Sequence, residues 1–415
     1  MTNKERLQAN NAKIEEIQKI LNNKMLKAQG KGDYFVKVID YDGTILKEAN
    51  LNAGDTFELP TPPSHDGLVF QEWSCSQDII DNVITIEDNN VMVGAIYTTE
   101  SGLNEFDIEI TKAMEPDIST NGFVVTLNMD GTKNWGDGTS DDLTTHTYSA
   151  YGEYTIKCNG TTIGEQLFGQ SLSVKNYYCK RVRFGNITNA GGLGFCDSLV
   201  SVSMPNTVTS IGSFRVGNAL DGIVIPVGVT SIGYECFFGS SVVKVVLPKG
   251  LTTISGSAFY QCKKLEYISI PETVTSISSD AFSAVIIKKI KIPSVPTLGS
   301  NSFSGVHTLK DLKMSNGITT IASSCFQNTD TLREIKFPST ITRIYQSAFA
   351  SCEALVKYDF SEHTTIPTLS NTSAFSGINT SAKIIVPDNL YDEWIVATNW
   401  STFANYIYKA SEVQE

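Results

Sequence analysis

From about residue 179 to 387 the apolar positions recur as apolar-x-x-apolar-x-apolar, usually closed by proline. Leu199-Val202-Met204-Pro205, Leu220-Ile223-Ile225-Pro226 and Val242-Val245-Leu247-Pro248 begin the series. Leu265-Ile268-Ile270-Pro271, Ile287-Ile290-Ile292-Pro293 and Leu332-Ile335-Phe337-Pro338 continue it, and Ser315 and Ser361 replace the proline twice. From Pro205 to Ser361 the steps are 21, 22, 23, 22, 22, 23 and 23 residues. An apolar-Thr-x-Ile step follows the proline, as in Val229-Thr230-Ile232 and Ile341-Thr342-Ile344, except near Pro293, where Pro296 breaks it. Five residues beyond that isoleucine stand Phe237, Phe259, Phe282, Phe326 and Phe349, and Phe303 keeps the same offset from Leu298. One such unit cannot bury both a strand face and a phenylalanine, but stacked units can, because each apolar column meets itself one coil along. Proline ends each strand because it cannot donate to the sheet ladder. About ten coils at strand spacing make a body roughly 45 Å long.

The front half patterns differently. Over residues 3–28, Leu7, Ile14, Ile17, Leu21 and Met25 fall near one helical face, with Leu7, Ile14 and Leu21 seven apart as in a coiled coil. Gln29-Gly30-Lys31-Gly32 reads as a linker. Alternation at Tyr34-Val36-Val38, then Tyr41-Asp42-Gly43, predicts a strand and a turn.

Length sets a prior of two to four domains. Hydrophobic residues make up 41% and charged residues 18%, the balance of folded protein. A net charge of −12 argues against nucleic acid, since phosphate binding needs a large basic surface. No apolar stretch reaches the ~18 residues of a membrane span. The opening MTNKERLQANNAKIEEIQKIL shows neither an apolar core nor a small-residue cleavage site, so no leader is expected. The eight cysteines form no C-x-x-C pair, so zinc and redox readings fail, and buried free thiols are expected.

The repeat falls in the leucine-rich range. Its I-P…V-T-x-I…A-F-x-x-C-x-x-L residues resemble the BspA-like leucine-rich-repeat family over about 175–390. The segment from Val386-Pro387-Asp388 to Trp394 and Trp400 resembles that family's closing segment, which would lie over the last coil. Gly54-Asp55, Leu59-Pro60, Pro62-Pro63, Gly67, Phe70 and Trp73 resemble the small β-grasp unit of internalin B-repeats, which implies a spacer or adhesive module. Trp135-Gly136-Asp137-Gly138-Thr139, His146-Thr147-Tyr148 and Gly152-Glu153-Tyr154 resemble the polycystic-kidney-disease (PKD) immunoglobulin-like sandwich. There Trp135 and Tyr154 fill the core, and Asp137 and His146 are structural positions. The expected fold class is therefore mainly β and multi-domain. It comprises a helical stem and linker (1–32), a β-grasp module (33–100), a PKD-like sandwich (101–170), a solenoid (171–390) and a C-terminal cap (391–415).

Chemistry is sparse. His65, His146, His307 and His363 make no zinc-hydrolase motif, and no nucleophile elbow or nucleotide-binding glycine pattern occurs. Asp130, Asp137, Asp141 and Asp142 lack calcium-loop spacing and read as turn acids. No catalytic residue, metal or cofactor is expected. The outward strand column reads Ser269, Lys291, Lys313, Lys336, Asp359, flanked by Lys288, Lys289, Lys310 and Arg333. Like charges facing each other across strands are unfavourable. Lys289, Lys291, Lys310, Lys313, Arg333 and Lys336 are therefore candidate contacts for an anionic ligand; the alternative is a solvated face that blocks aggregation.

These parts point to a non-enzymatic surface-binding protein that recognises a cell-surface glycan or protein receptor without nucleic acid or membrane insertion. The opening Thr2–Asn11 resembles prophage tail-region proteins, which implies a phage tail fibre located in the virion. Residues 1–28 would then join tail components and form a homo-oligomer, taken as a trimer. The second reading is a bacterial cell-surface adhesin.

Overall fold

The computed structural model describes residues 32–111, 122–164, 166–168, 178–215 and 219–413. The expected helical stem lies outside the described residues. In residues 33–100, β1 (Tyr34–Ile39) and β2 (Ile45–Leu51) form an antiparallel hairpin across the Asp40-to-Thr44 turn. The short β3 (Thr56–Glu58) pairs with β5 (Val83–Thr85). β4 (Leu68–Cys75) runs antiparallel to β6 (Val91–Thr99), and β6 runs parallel to β1, giving the sheet order β2-β1-β6-β4. Val36, Val38, Val91 and Val93 fill the core on one side of this sheet.

The next strands are β7 (Asn104–Ile110), β8 (Phe123–Thr126), β9 (Lys133–Asn134), β10 (Ser140–Asp141), β11 (Thr145–Tyr148) and β12 (Gly152–Cys158). β8 and β11 pair with each other, while β12 pairs with β7 and β9. Trp135 and Tyr148 are fully buried here, with the Tyr148 hydroxyl donating to the Trp135 carbonyl at 2.7 Å and Tyr154 packed alongside. The sheet does not stop at a linker. β7 also pairs antiparallel with β13 (Cys179–Arg183), which pairs parallel with Ser201–Ser203, the next strand of the solenoid. Arg183 fastens this junction with a bidentate bond to Asp107 at 2.7 and 2.9 Å. One hydrophobic core consequently runs from Phe106 to Ile407. An antiparallel strand thus covers the first coil, whose apolar end would otherwise face water.

The solenoid has about ten turns. Its main face carries the apolar-x-apolar strands, from Ser201–Ser203 through Lys289–Ile292 to Ile407–Lys409. A second face carries the Thr-x-Ile steps, paired in parallel from Ser231–Ile232 to Thr368–Leu369. The threonines serve the stacking directly: Thr252, Thr319 and Thr342 donate their hydroxyls to carbonyls of the preceding coil at 2.9–3.1 Å. Between the faces the phenylalanines form one continuous stack, Phe214-Phe237-Phe259-Phe282-Phe303-Phe326-Phe349-Phe375. Its ring centroids are 5.1–5.7 Å apart and its planes lie within 15°. All eight cysteines are free and buried. Cys236 and Cys262 donate to carbonyls of the preceding coil at 2.9 Å. Burial pushes the Cys262 and Cys325 thiols up to about 12, so neither supplies a thiolate at neutral pH. At the far end Trp394 and Trp400 are buried against Phe360, and the Trp400 indole donates to the Pro367 carbonyl at 2.8 Å.

Candidate functional site

Residues on the main face alternate inward and outward. The outward column reads Ser203, Val224, Val246, Ser269, Lys291, Lys313, Lys336 and Asp359. Its first six members do not face solvent. The 33–100 sheet folds back onto them, with Ile39, Met92 and Ile96 packed against Val224 and Val246, and Phe35 set edge-on to Tyr267 at 5.4 Å. Burying a valine is worth about 1.5–3 kcal/mol, so these two residues alone favour the docked arrangement. Polar groups fasten the contact. Ser74 donates to the Ile225 carbonyl at 2.7 Å and Ser203 to the Tyr97 carbonyl at 3.1 Å. Asn206 donates to both Gln71 and Glu72 at 2.8 Å. Backbones touch as well: a Cβ on Gly94 would come within 2.4 Å of Val224, and one on Gly43 within 2.4 Å of the Gly222 nitrogen.

The lysines lie at the far margin of this contact. Lys291 and Lys313 stand opposite each other in register. Lys291 bonds to Asp88 of the docked sheet and lies 3.0 Å from Glu272, leaving its side chain 12% exposed. Lys313 donates to the Tyr34 hydroxyl at 2.5 Å and sits 4.8 Å from that ring's centre. Lys289 bonds to the Asp33 carbonyl, pairs with Asp311 at 2.8 Å and also faces the Tyr34 ring. Burial acts to raise the Asp88 carboxyl, but the bond and charge of Lys291, helped by Lys313, outweigh it and hold it below the usual range. Burial likewise acts to lower Lys291, and Asp88 and Glu272 outweigh it in the opposite direction. The like-charged neighbours are therefore compensated from within the chain.

Lys310, Arg333 and Lys336 remain exposed. Lys336 pairs with Glu362 at 2.7 Å and lies in register with Asp359, an opposite-charge neighbour. Among the described residues neither Lys310 nor Arg333 forms an ion pair. The structure thus splits the six candidate residues into three engaged by the front module and three that face solvent.

The other candidate groups serve turns. His146 pairs with Asp137 at 2.7 Å and stacks on Trp135. Burial acts to raise Asp137, but bonds from Thr139 and His146 outweigh it and hold the carboxyl below its ordinary value. Asp130 accepts the backbone N–H groups of Thr161 and Thr162 at 2.8 Å, and Asp141 accepts the Trp135 indole at 3.0 Å. Among the described residues no helix is long and apolar enough to cross a membrane.

Residues 192–307 and 286–392 match the family model described as BspA type leucine rich repeat region, in six copies. Over residues 192–392 the solenoid is similar to the BspA-type leucine-rich-repeat family. No curated protein matches the chain. Among solved structures, a leucine-rich repeat protein of T. pallidum is 24% identical over 42% of this chain and 81% of its own, with a TM-score of 0.36. One from Bacteroides ovatus is 17% identical over 69% of this chain and 98% of its own, with a TM-score of 0.30. A leucine rich cell surface protein from Faecalibacterium prausnitzii is 19% identical over 54% of this chain and 93% of its own, with a TM-score of 0.22. In this array the columns that recur from coil to coil are the inward ones, which do packing, so any recognition falls to outward positions.

The fold-back of residues 33–100 was not anticipated from the sequence. Two signals for it exist: the unbroken apolar run Val91-Met92-Val93-Gly94-Ala95-Ile96-Tyr97, which marks a strand buried on both faces, and the valines at outward positions 224 and 246.

Proposed function

We propose that this chain is a non-catalytic, adhesin-type surface-binding protein. It meets an acidic cell-surface glycan through the uncovered flank of its solenoid, at Lys310, Arg333 and Lys336. The observation that carries the reading is the exposure of Lys310 and Arg333 on adjacent coils, without acidic partners among the described residues, beside lysines already committed to the front module. The matched repeat family supports a cell-surface or extracellular setting. The phage-tail reading rests on the opening residues, which lie outside the described residues, and the matched family favours the adhesin over it.

Retention on immobilised heparin tests the reading, because a chain of net charge −12 needs a local basic patch to be held. The triple variant Lys310→Glu, Arg333→Glu, Lys336→Glu should elute at clearly lower salt with a nearly unchanged Tm. Equal retention of wild type and variant would remove this surface. Self-association through residues 1–28 belongs to the same proposal: light scattering should give a trimer that becomes a monomer when these residues are deleted, and a monomeric full chain would sink that part.

A further inference from the structure

Where the front module meets the solenoid, a groove of about 400 Å³ opens between β4 with its following loop and two solenoid turns. Glu72, Trp73, Gln77, Asp78 and Ile79 line it from the module, and Val227 and Lys249 from the solenoid. It exists only because the module is docked, since neither part supplies both walls.

Its chemistry is mixed in an informative way. The Trp73 indole is half-buried and held edge-on by Phe70 at 5.3 Å, which leaves a rigid aromatic surface beside Ile79 and the exposed Val227. Around it stand two carboxylates, a carboxamide and an ammonium, all able to bond hydroxyl groups. The charges largely cancel, because Lys249 pairs with Asp78 at 2.5 Å. An anion would meet Glu72 and Asp78, and an apolar ligand would bury those polar groups unpaired. A neutral, polyhydroxylated ring satisfies both walls: its C–H face covers the indole and its hydroxyls meet the rim. The volume lies within the range of small-molecule sites.

We infer that this groove is a subsite for a neutral sugar residue of a glycan, built jointly by the front module and the solenoid. The inference rests on the surface-binding reading but uses a separate site from the basic flank. Trp73 provides its own reporter, because Trp135, Trp394 and Trp400 are at most 1% exposed. Emission of the full chain should change saturably on titration with at least one of lactose, maltose and N,N′-diacetylchitobiose. Val227→Arg places a side chain across the groove from an already exposed position, and should raise the midpoint at least tenfold while the melting curve stays in place. Trp73→Phe should abolish the emission change, and Lys249→Gln should weaken binding several-fold. The Lys310/Arg333/Lys336 variant should respond to sugar as wild type does, so loss of heparin retention with an intact sugar response separates the two sites. No saturable change with any of the three sugars, or an unaltered midpoint in Val227→Arg, overturns the inference.

Discussion

Ala284 holds a left-handed backbone, with φ at 59°. It belongs to a repeated device. In coil after coil the residues two before and two after the stacked phenylalanine are left-handed: Ser257 and Gln261 around Phe259, Asp280 and Ala284 around Phe282, Ser324 and Asn328 around Phe326. Alternating handedness turns every second N–H toward the next coil. Asp280, Phe282 and Ala284 accordingly donate to the carbonyls of Ser300, Ser302 and Ser304 at 2.8–2.9 Å. Those bonds offset a conformational cost of about 1–2 kcal/mol per non-glycine residue. Ala284→Gly relieves that cost and keeps the bonds, so it should stabilise the protein by about 1 kcal/mol in urea unfolding; a loss of stability would contradict this account. His363 gives a residue-scale pH effect. Burial lowers its pKa, and its Nδ1 lies 3.2 Å from the Phe360 carbonyl while Nε2 has no hydrogen-bond partner among the described residues. Protonation would add a second buried donor there. The unfolded chain takes up this proton first, so the contribution is complete above the ordinary histidine value and is lost as pH falls below about 6.5. Thermal melts from pH 7 to 5 should fall less steeply in His363→Gln than in wild type.

At the scale of the element, the phenylalanine stack and the two strand faces are the repeat's whole structural content. Phe282 has Phe259 at 5.2 Å and Phe303 at 5.3 Å on either side. Phe282→Ala should cost about 3–5 kcal/mol. Within the solenoid each coil stacks only on its two neighbours, so in a solenoid freed of the docked 33–100 module the break should also split the unfolding into two transitions by calorimetry. A single unchanged transition would contradict this. The six phenylalanines at regular offset were legible in the sequence, because packing demands the same column in each coil. Phe214 and Phe375 extend the stack but were not legible, since they stand three residues after Ile211 and six after Leu369. End coils change their spacing to meet a cap. The left-handed positions were hidden for another reason: Ser257, Gln261 and Ala284 carry no glycine signal, and only inter-coil bonding makes them tolerable.

At the scale of the whole molecule, the lysine column was legible as a column but not as a contact. Register followed from the repeat, and the parallel pairing of Lys291 with Lys313 bears that out. Their partners did not, because Asp88 lies 203 residues from Lys291 and no periodicity links a front module to a distant coil. Close backbone approach makes the docking testable. Gly94→Val puts methyl groups where Val224 already stands, within 2.4 Å of a Cβ, and should release the module so that limited proteolysis cuts within residues 33–100 while the solenoid survives. The charge contact is tested more gently by exchange. Asp88→Lys adds a third ammonium beside Lys291 and Lys313 and should destabilise the docked state, and Lys291→Asp on its own leaves the acids unpaired. Together the two substitutions restore one opposite-charge pair. Asp88 is 55% exposed, so solvent screening limits the coupling in this double-mutant cycle to about 1 kcal/mol. It should shrink further in 1 M salt, where the Debye length falls to about 3 Å. A coupling of zero at low salt would mean that the apolar patch around Val224 and Val246 holds the module by itself, with the lysines merely tolerated at its margin.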